Sequence, residues 1–261
     1  MPPTAVQAIF AALLTKVGIY ALFRTFTLMF PLQADVTHTI IGIMAGLTII
    51  AGCLGALAGR DVRTIATYNV IIGVGFILVA LSIGTEQAMA GAVYYLIHDM
   101  VAKALLFLII GTMVLLTGET IVKNMNGLIR NYPLFGWLYF LVMCALVGIP
   151  PLSGFIGKVL IGQGAIETGS YVLLVLSFGS SIIVLYSLLR IFLASFFGET
   201  TISEEDKKPI PRGALVSFIL LAICIVALGV GAEGIAKYVN DAAHTLMNPS
   251  VYIDAILTTD P

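Results

Sequence analysis

Charge is the scarcest property of this sequence. Lys, Arg, Asp and Glu make up 10% of its 261 residues, while 59% are hydrophobic and the mean hydropathy is +1.06. Soluble domains carry about 25% charged residues, and a water-facing surface cannot be covered with so few. A large soluble α-protein is therefore excluded. The net charge of −1 supplies no basic field for nucleic acid. Cysteine is also sparse: Cys53, Cys144 and Cys224 each sit in an apolar run and form no CxxC pair, so they read as small buried hydrophobes. No metal-ligand spacing, phosphate loop or nucleophile–base pair is visible, so no cofactor, metal or enzymatic chemistry is expected of this chain. A cleavable signal peptide is not expected either, because the first apolar segment is too long and carries Lys16 and Arg24.

What the sequence has in abundance is long apolar runs. About 20 such residues cross a bilayer as a helix. Seven runs qualify, at about 4–30, 37–57, 62–83, 87–116, 133–164, 170–197 and 213–231, the fifth of them interrupted. The expected fold class is all-α integral membrane, with residues 1–231 as the transmembrane domain and 232–261 as an extracytoplasmic interfacial tail with a turn at Asn248-Pro249-Ser250. The first, fourth, fifth and sixth runs exceed the minimum length and must tilt, bend or break. Alternate connections carry Arg60 and Arg63, then Lys123 and Arg130, then Lys207, Lys208 and Arg212; the connections between them carry only Asp35, Glu86 and Glu167. By the positive-inside rule this places the N-terminus in the cytoplasm and the tail outside a cell membrane.

Seven ionisable groups remain within the spans: Lys16, Arg24, His98, Asp99, Lys103, Lys158 and Arg190. Such groups are costly in a bilayer and by default mark ion pathways. Lys16 lies about 18 Å from either end of its run, too far to snorkel easily. Arg24 and Arg190 are nearer the ends, where an interfacial anchor and a pathway role are both open. Asp99 and Lys103 are spaced four apart with the acid first, a favourable helical pair, and His98 adjoins them. These three form either a proton relay or a structural ion pair beside a satisfied histidine. The fifth run contains Gly148-Ile149-Pro150-Pro151-Leu152-Ser153-Gly154-Phe155-Ile156-Gly157-Lys158. Its two prolines remove two amide donors and free carbonyls one turn back. Unpaired backbone at this depth is tolerated only against protein or a wet cavity, and broken helices recur at transporter ion sites. The bland reading is a proline kink with a snorkelling lysine. Tyr186, Ser180, Ser181 and Ser187 near Arg190 either hold water or pack helices.

A lysine taken out of water gives up its proton readily, and neighbouring lysines reinforce the effect, so a line of them suits proton transfer. Several stretches resemble the proton-pumping, antiporter-like membrane proteins of respiratory complex I and of Mrp-type Na+/H+ antiporters. They are Leu14-Thr15-Lys16-Val17-Gly18-Ile19-Tyr20-Ala21-Leu22-Phe23-Arg24, Asp61-Val62-Arg63-Thr64-Ile65-Ala66, His98 through Phe107, and Gly148 through Lys158. Arg24 through Phe30, Arg190-Ile191-Phe192 and Phe196-Phe197-Gly198-Glu199 resemble the D-type branch of the Mrp antiporter family most.

The resemblance implies the C-terminal half of the family domain, with the second five-helix inverted repeat in the second to sixth spans and Met1 at an internal methionine. It implies Lys16 as the link between half-channels, His98 and Lys103 as the central relay with Asp99, and Lys158 as the exchange site toward the outside. Arg190 is carried as a further pathway candidate. The expected function is proton translocation coupled to export of sodium or potassium, within a hetero-oligomer of membrane subunits. The alternatives are a proton-pumping component of an NADH:quinone oxidoreductase or membrane hydrogenase, and a transport-incompetent fragment with a packing role. Sodium has no evident site; Asp99, Thr15, Ser153 and the carbonyls near Pro150 are the candidate ligands.

Overall fold

The computed structural model describes residues 4–29, 34–199, 207–251 and 253. Phe30, the side chain of Asp35, residues 200–206 and the end of the expected tail at 254–261 lie outside the described residues.

In hydrocarbon a single segment satisfies its backbone only as a helix. Nine helices follow one another among the described residues: α1 (Thr4–Met29), α2 (Ala34–Ala58), α3 (Val62–Ile83), α4 (Glu86–Thr117), α5 (Pro133–Val147), α6 (Ser153–Glu167), α7 (Tyr171–Phe196), α8 (Arg212–Val230) and α9 (Ala232–Met247). Two short turns, Val122–Asn124 and Leu128–Asn131, join α4 to α5. Six helices, α1 to α4, α7 and α8, are long and apolar enough to span a bilayer. α5 and α6 have 15 residues each and together form the interrupted fifth run. All seven expected spans are thus present.

The helix ends explain the boundaries. Asp61 caps α3 by accepting from the Arg63 and Thr64 amides at 2.8 and 3.1 Å, and Thr85 caps α4 by accepting from the Ala88 amide at 3.1 Å. Asn248 ends α9 where the sequence predicts a turn.

The three basic connections gather at one end of the bundle. The Val62 amide donates to the Thr120 carbonyl and the Val122 amide to the Arg60 carbonyl, tying the α2–α3 and α4–α5 connections together. The Gly127 amide donates to the Phe197 carbonyl, and the Tyr132 hydroxyl to the Lys208 carbonyl, which brings in the α7–α8 connection. At the opposite end Ser82 donates to the His38 carbonyl, and Gln87 of α4 pairs with Gln163 of α6. The segregation read from loop charge is therefore a property of the fold.

Long runs are accommodated by bending and breaking. α1 contains two π-helical stretches, Phe10–Leu14 and Thr25–Met29, the first ending one residue before Thr15-Lys16. Such widened turns insert an extra residue and often accompany functional sites. α4, with 32 residues and a length of about 48 Å, is the central strut and packs against α1, α3, α5, α6, α8 and α9. α9 buries Val239, Ala243 and Leu246, and it packs on α4 beside Tyr20, Phe23 and Arg24 of α1.

Candidate ion-translocation site

Helical periodicity puts Tyr95, His98, Asp99 and Lys103 along one side of α4. Lys16 of α1 and Lys158 of α6 approach that side from two directions. Lys16, Lys103 and Lys158 are 3%, 2% and 5% exposed, His98 1% and Asp99 0%. Groups so deeply buried are tolerated only when they are paired or hydrogen-bonded.

Lys16 Nζ lies 2.6 Å from Asp99 Oδ2 and donates to the Ala11 carbonyl at 3.2 Å, within the widened turn of α1. Lys103 Nζ is 4.0 Å from Asp99 Oδ1. The acid therefore bridges α1 and α4, and its tighter partner is Lys16 rather than the helical neighbour that the spacing suggests. Gly73 of α3 makes room for the carboxylate, since a Cβ there would lie 3.1 Å from Asp99 Oδ1.

Lys103 Nζ donates to the Asn69 carbonyl of α3 at 2.8 Å. The Asn69 amide nitrogen donates to the Ile65 carbonyl at 2.9 Å and to Ser187 Oγ of α7 at 3.1 Å. A small void lies between the two lysines, lined by Asn69, Lys103, Lys158, Tyr95, Ser180 and Ser181 among others. It leaves about 10 Å³ for the centre of a water molecule, the threshold for holding one.

The broken helix supplies the rest. α5 ends at Gly148, whose φ of 90° is left-handed and whose missing Cβ would stand 2.9 Å from Lys158 Cδ. An uninterrupted helix would hydrogen-bond the amides of residues 150 and 151 to the carbonyls of Leu146 and Val147. Pro150 and Pro151 have no such amides, and Lys158 Nζ donates to those same two carbonyls, at 3.0 and 2.7 Å. It also donates to Ser181 Oγ at 2.8 Å. The rings of Phe76 and Tyr95 stand 5.6 and 5.9 Å from the ammonium, within cation–π range.

His98 Nδ1 and Ser153 Oγ share a hydrogen bond of 2.7 Å, which ties α4 to the first residue of α6. Gly154 and Gly157 allow that contact: a Cβ on Gly154 would strike the Ala145 carbonyl and lie 2.8 Å from His98 Nε2, and one on Gly157 would lie 2.8 Å from Tyr95 Cβ.

The structure thus joins Lys16, Asp99, Lys103, His98, Ser153 and Lys158 in one buried polar band. Arg190 is not brought to it. Its guanidinium donates to the carbonyls of Leu57, at 3.1 Å, and Gly59, capping the basic end of α2. Arg24 accompanies Tyr20 at the other end of α1, with its Nε donating to the hydroxyl at 3.1 Å. Ser153, a candidate sodium ligand, is engaged by His98, while the buried Thr15 hydroxyl makes no hydrogen bond among the described residues. Sequence alone does not single out Asn69, Phe76 or Tyr95. Asn69 is an amide in an apolar run, a signal available but weak; the two aromatics are indistinguishable from core residues without coordinates.

Comparison with known proteins agrees with this fold. Residues 1–184 match the family described as NADH:quinone oxidoreductase/Mrp antiporter, TM. The D subunit of the Na(+)/H(+) antiporter of Bacillus subtilis (strain 168) is 43% identical over 256 residues, covering 98% of this chain and 52% of that protein. Among solved structures, a chain of the Mrp complex from Dietzia sp. DQ12-45-1b superposes with a TM-score of 0.89 at 26% identity, covering 97% of this chain and 55% of the other. A chain of the membrane-bound sulfane sulfur reductase, an archaeal respiratory membrane complex, gives 0.89 at 25% identity over 97% and 52%. The chain spans about half the length of the relatives it matches. With residues 1–184 of its 261 matched by the family model, this chain belongs to the NADH:quinone oxidoreductase/Mrp antiporter transmembrane family.

Proposed function

We propose that this chain carries a proton-translocating half of a multisubunit antiporter, which exchanges sodium or potassium for protons at the expense of the proton gradient. The observation that carries the reading is the buried band from Lys16 through Asp99 and Lys103 to Lys158, with room for a water between the last two lysines. Lys16 and Asp99 link the band to a preceding half-channel, His98 and Lys103 form its centre, and Lys158 is the exchange point at the break. Other membrane subunits are the partners, and the remaining half of the family domain supplies the entry path. The end bearing the basic connections faces the cytoplasm, and residues 232–261 form the outer tail, with α9 resting against α1 and α4. Arg190 serves as a cap on α2.

The similarity to proteins named as antiporter components, at 43% identity, favours this over a redox-driven pump. The equally good superposition on a respiratory complex supports that pump as the second reading. The test is growth in high sodium at alkaline pH of a host without its own sodium antiporters. The host carries a complete antiporter operon in which this chain replaces its homologue, alone or with the other half of the family domain supplied. Restored growth that is lost on Lys158→Ala is the expected result. Membrane insertion without growth in either format, or growth that survives Lys158→Ala, would overturn the proposal.

A further inference from the structure

α5 and α8 start from the same end of the bundle, where the basic connections gather, and run side by side: the rings of Phe135 and Phe218 stand 6.0 Å apart. On their outward side the two helices leave an open groove of about 510 Å³. Its walls are aliphatic, with Leu134, Leu138 and Leu141 from α5 and Ile219, Ile223 and Val226 from α8. From Leu134 to Leu141 the groove follows α5 for about 10 Å at 1.5 Å per residue. Trp137, the single tryptophan of the chain, shares the helix face of Leu134, Leu138 and Leu141 and is 60% exposed, with the Phe140 ring edge-on to it. An exposed tryptophan near a helix end marks the headgroup level of a bilayer. The groove therefore opens at the interface and descends into hydrocarbon.

The mouth of the groove is basic. Tyr132, two residues before Leu134, donates its hydroxyl to the Lys208 carbonyl at 2.6 Å, and its ring lies 5.7 Å from the Lys207 ammonium. Both lysines are thus held beside the start of α5. Arg130 lies in the turn before it, and Arg212 is the first residue of α8. Pro209 and Pro211 restrict the backbone between Lys208 and Arg212. All four basic side chains are exposed, and among the described residues none is paired with a carboxylate. Glu199 is the acid that this connection shows; Glu204, Glu205 and Asp206 lie outside the described residues.

We propose that the α5–α8 groove binds an anionic phospholipid of the adjoining leaflet, with its headgroup at Lys207, Lys208 and Arg212 and one acyl chain along the aliphatic walls. The inference rests on the chain's place in a membrane and is independent of what it transports. Charge complementarity selects this occupant. An apolar helix of a neighbouring subunit would fill the groove but leave the cations at its mouth without a counter-charge, and a zwitterionic lipid brings no net charge to them. Basic pockets between transmembrane helices recognise anionic headgroups, and each lysine or arginine near the surface strengthens the attraction about fivefold.

The test uses the assembled complex in nanodiscs of equal parts phosphatidylglycerol and phosphatidylcholine with matched acyl chains. A photoreactive phenylalanine analogue replaces Ile223, a groove residue 57% exposed, and its adducts are identified by mass spectrometry. Adducts should favour phosphatidylglycerol over phosphatidylcholine at least about fivefold. The triple variant Lys207→Gln, Lys208→Gln, Arg212→Gln should bring the ratio to unity. Arg60→Gln with Lys123→Gln, at the same end of the bundle but away from the mouth, should leave the preference intact. Adducts in the bulk lipid ratio, adducts to another subunit in place of lipid, or equal losses in the mouth variant and the control would each overturn the proposal. If the triple variant fails to assemble, Lys207→Gln and Arg212→Gln singly decide the matter: each should lower the preference severalfold, and an unchanged ratio in both would overturn it.

Discussion

Replacing Asp99 by Asn keeps the shape of the side chain and removes the one anion in the band. The carboxylate lies 2.6 Å from Lys16 and 4.0 Å from Lys103. At an effective dielectric of about 20, these contacts contribute roughly 6 and 4 kcal/mol of Coulomb attraction. Desolvation of the three charges offsets much of that. Removing one partner of a buried ion pair leaves about 3–5 kcal/mol of uncompensated cost, because the remaining charge has nowhere to go. If about 3 kcal/mol of this is expressed at the rate-limiting proton step, flux drops roughly 100-fold. The assay is proton flux into liposomes containing the assembled complex, with flux normalised to protein. A four-member cycle of wild type, Asp99→Asn, Lys16→Met and the double variant isolates the pair. Residues in direct contact couple by about 0.5–3 kcal/mol, so the double variant should be several-fold better than the product of the single losses. Strictly multiplicative losses, or an Asp99→Asn complex retaining more than half of wild-type flux, would refute the pairing of Lys16 with Asp99.

Other consequences follow from the same geometry. Gly154→Ala forces a methyl against the Ala145 carbonyl and His98, so it should cost about 1–3 kcal/mol of stability and break the His98–Ser153 bond; a complex with unchanged melting temperature and flux would contradict the close approach. Asn69→Leu fills the void and severs the link to Ser187, and is expected to cut proton flux at least tenfold, whereas Asn69→Ser leaves room for a water and should retain most of it; equal losses in the two variants would argue against a water there. Arg190→Gln loses its charge-assisted bonds to the Leu57 and Gly59 carbonyls and should cost about 1.5–3 kcal/mol of stability, read as reduced yield of assembled complex. Flux per assembled complex should stay within about threefold of wild type; a larger loss would restore Arg190 to the pathway.

Much of this was legible in the sequence because the bilayer leaves few choices. The spans follow from hydropathy, and the gathering of basic connections at one end follows from their alternation in the chain. The break around Pro150 and Pro151 is equally local: two missing amides imply two free carbonyls, and the nearest basic residue downstream, Lys158, takes both. What the sequence cannot rank is partners from different helices. Asp99 and Lys103 satisfy the helical spacing rule, yet Lys16, from a distant part of the chain, makes the shorter contact once α1 packs on α4. Asn69 and Ser181 show the same limit: Asn69 is an amide in an apolar run and Ser181 one of several serines in α7, and only the packing of α3, α4, α6 and α7 reveals which carbonyl or ammonium each meets. Arg190 illustrates the converse, since its depth suggests a pathway while its reach ends on the carbonyls of α2.

The most direct test of the buried band is pH-gradient-driven sodium flux through liposomes containing the complete antiporter complex with this chain, comparing wild type with Lys103→Met. Lys103 lies between the Asp99 carboxylate and the void that leads to Lys158. If protons cross along the band, sodium flux and its coupled proton flux should both fall at least tenfold while the complex assembles normally. Sodium and proton fluxes that continue at the wild-type rate in Lys103→Met would show that protons cross elsewhere.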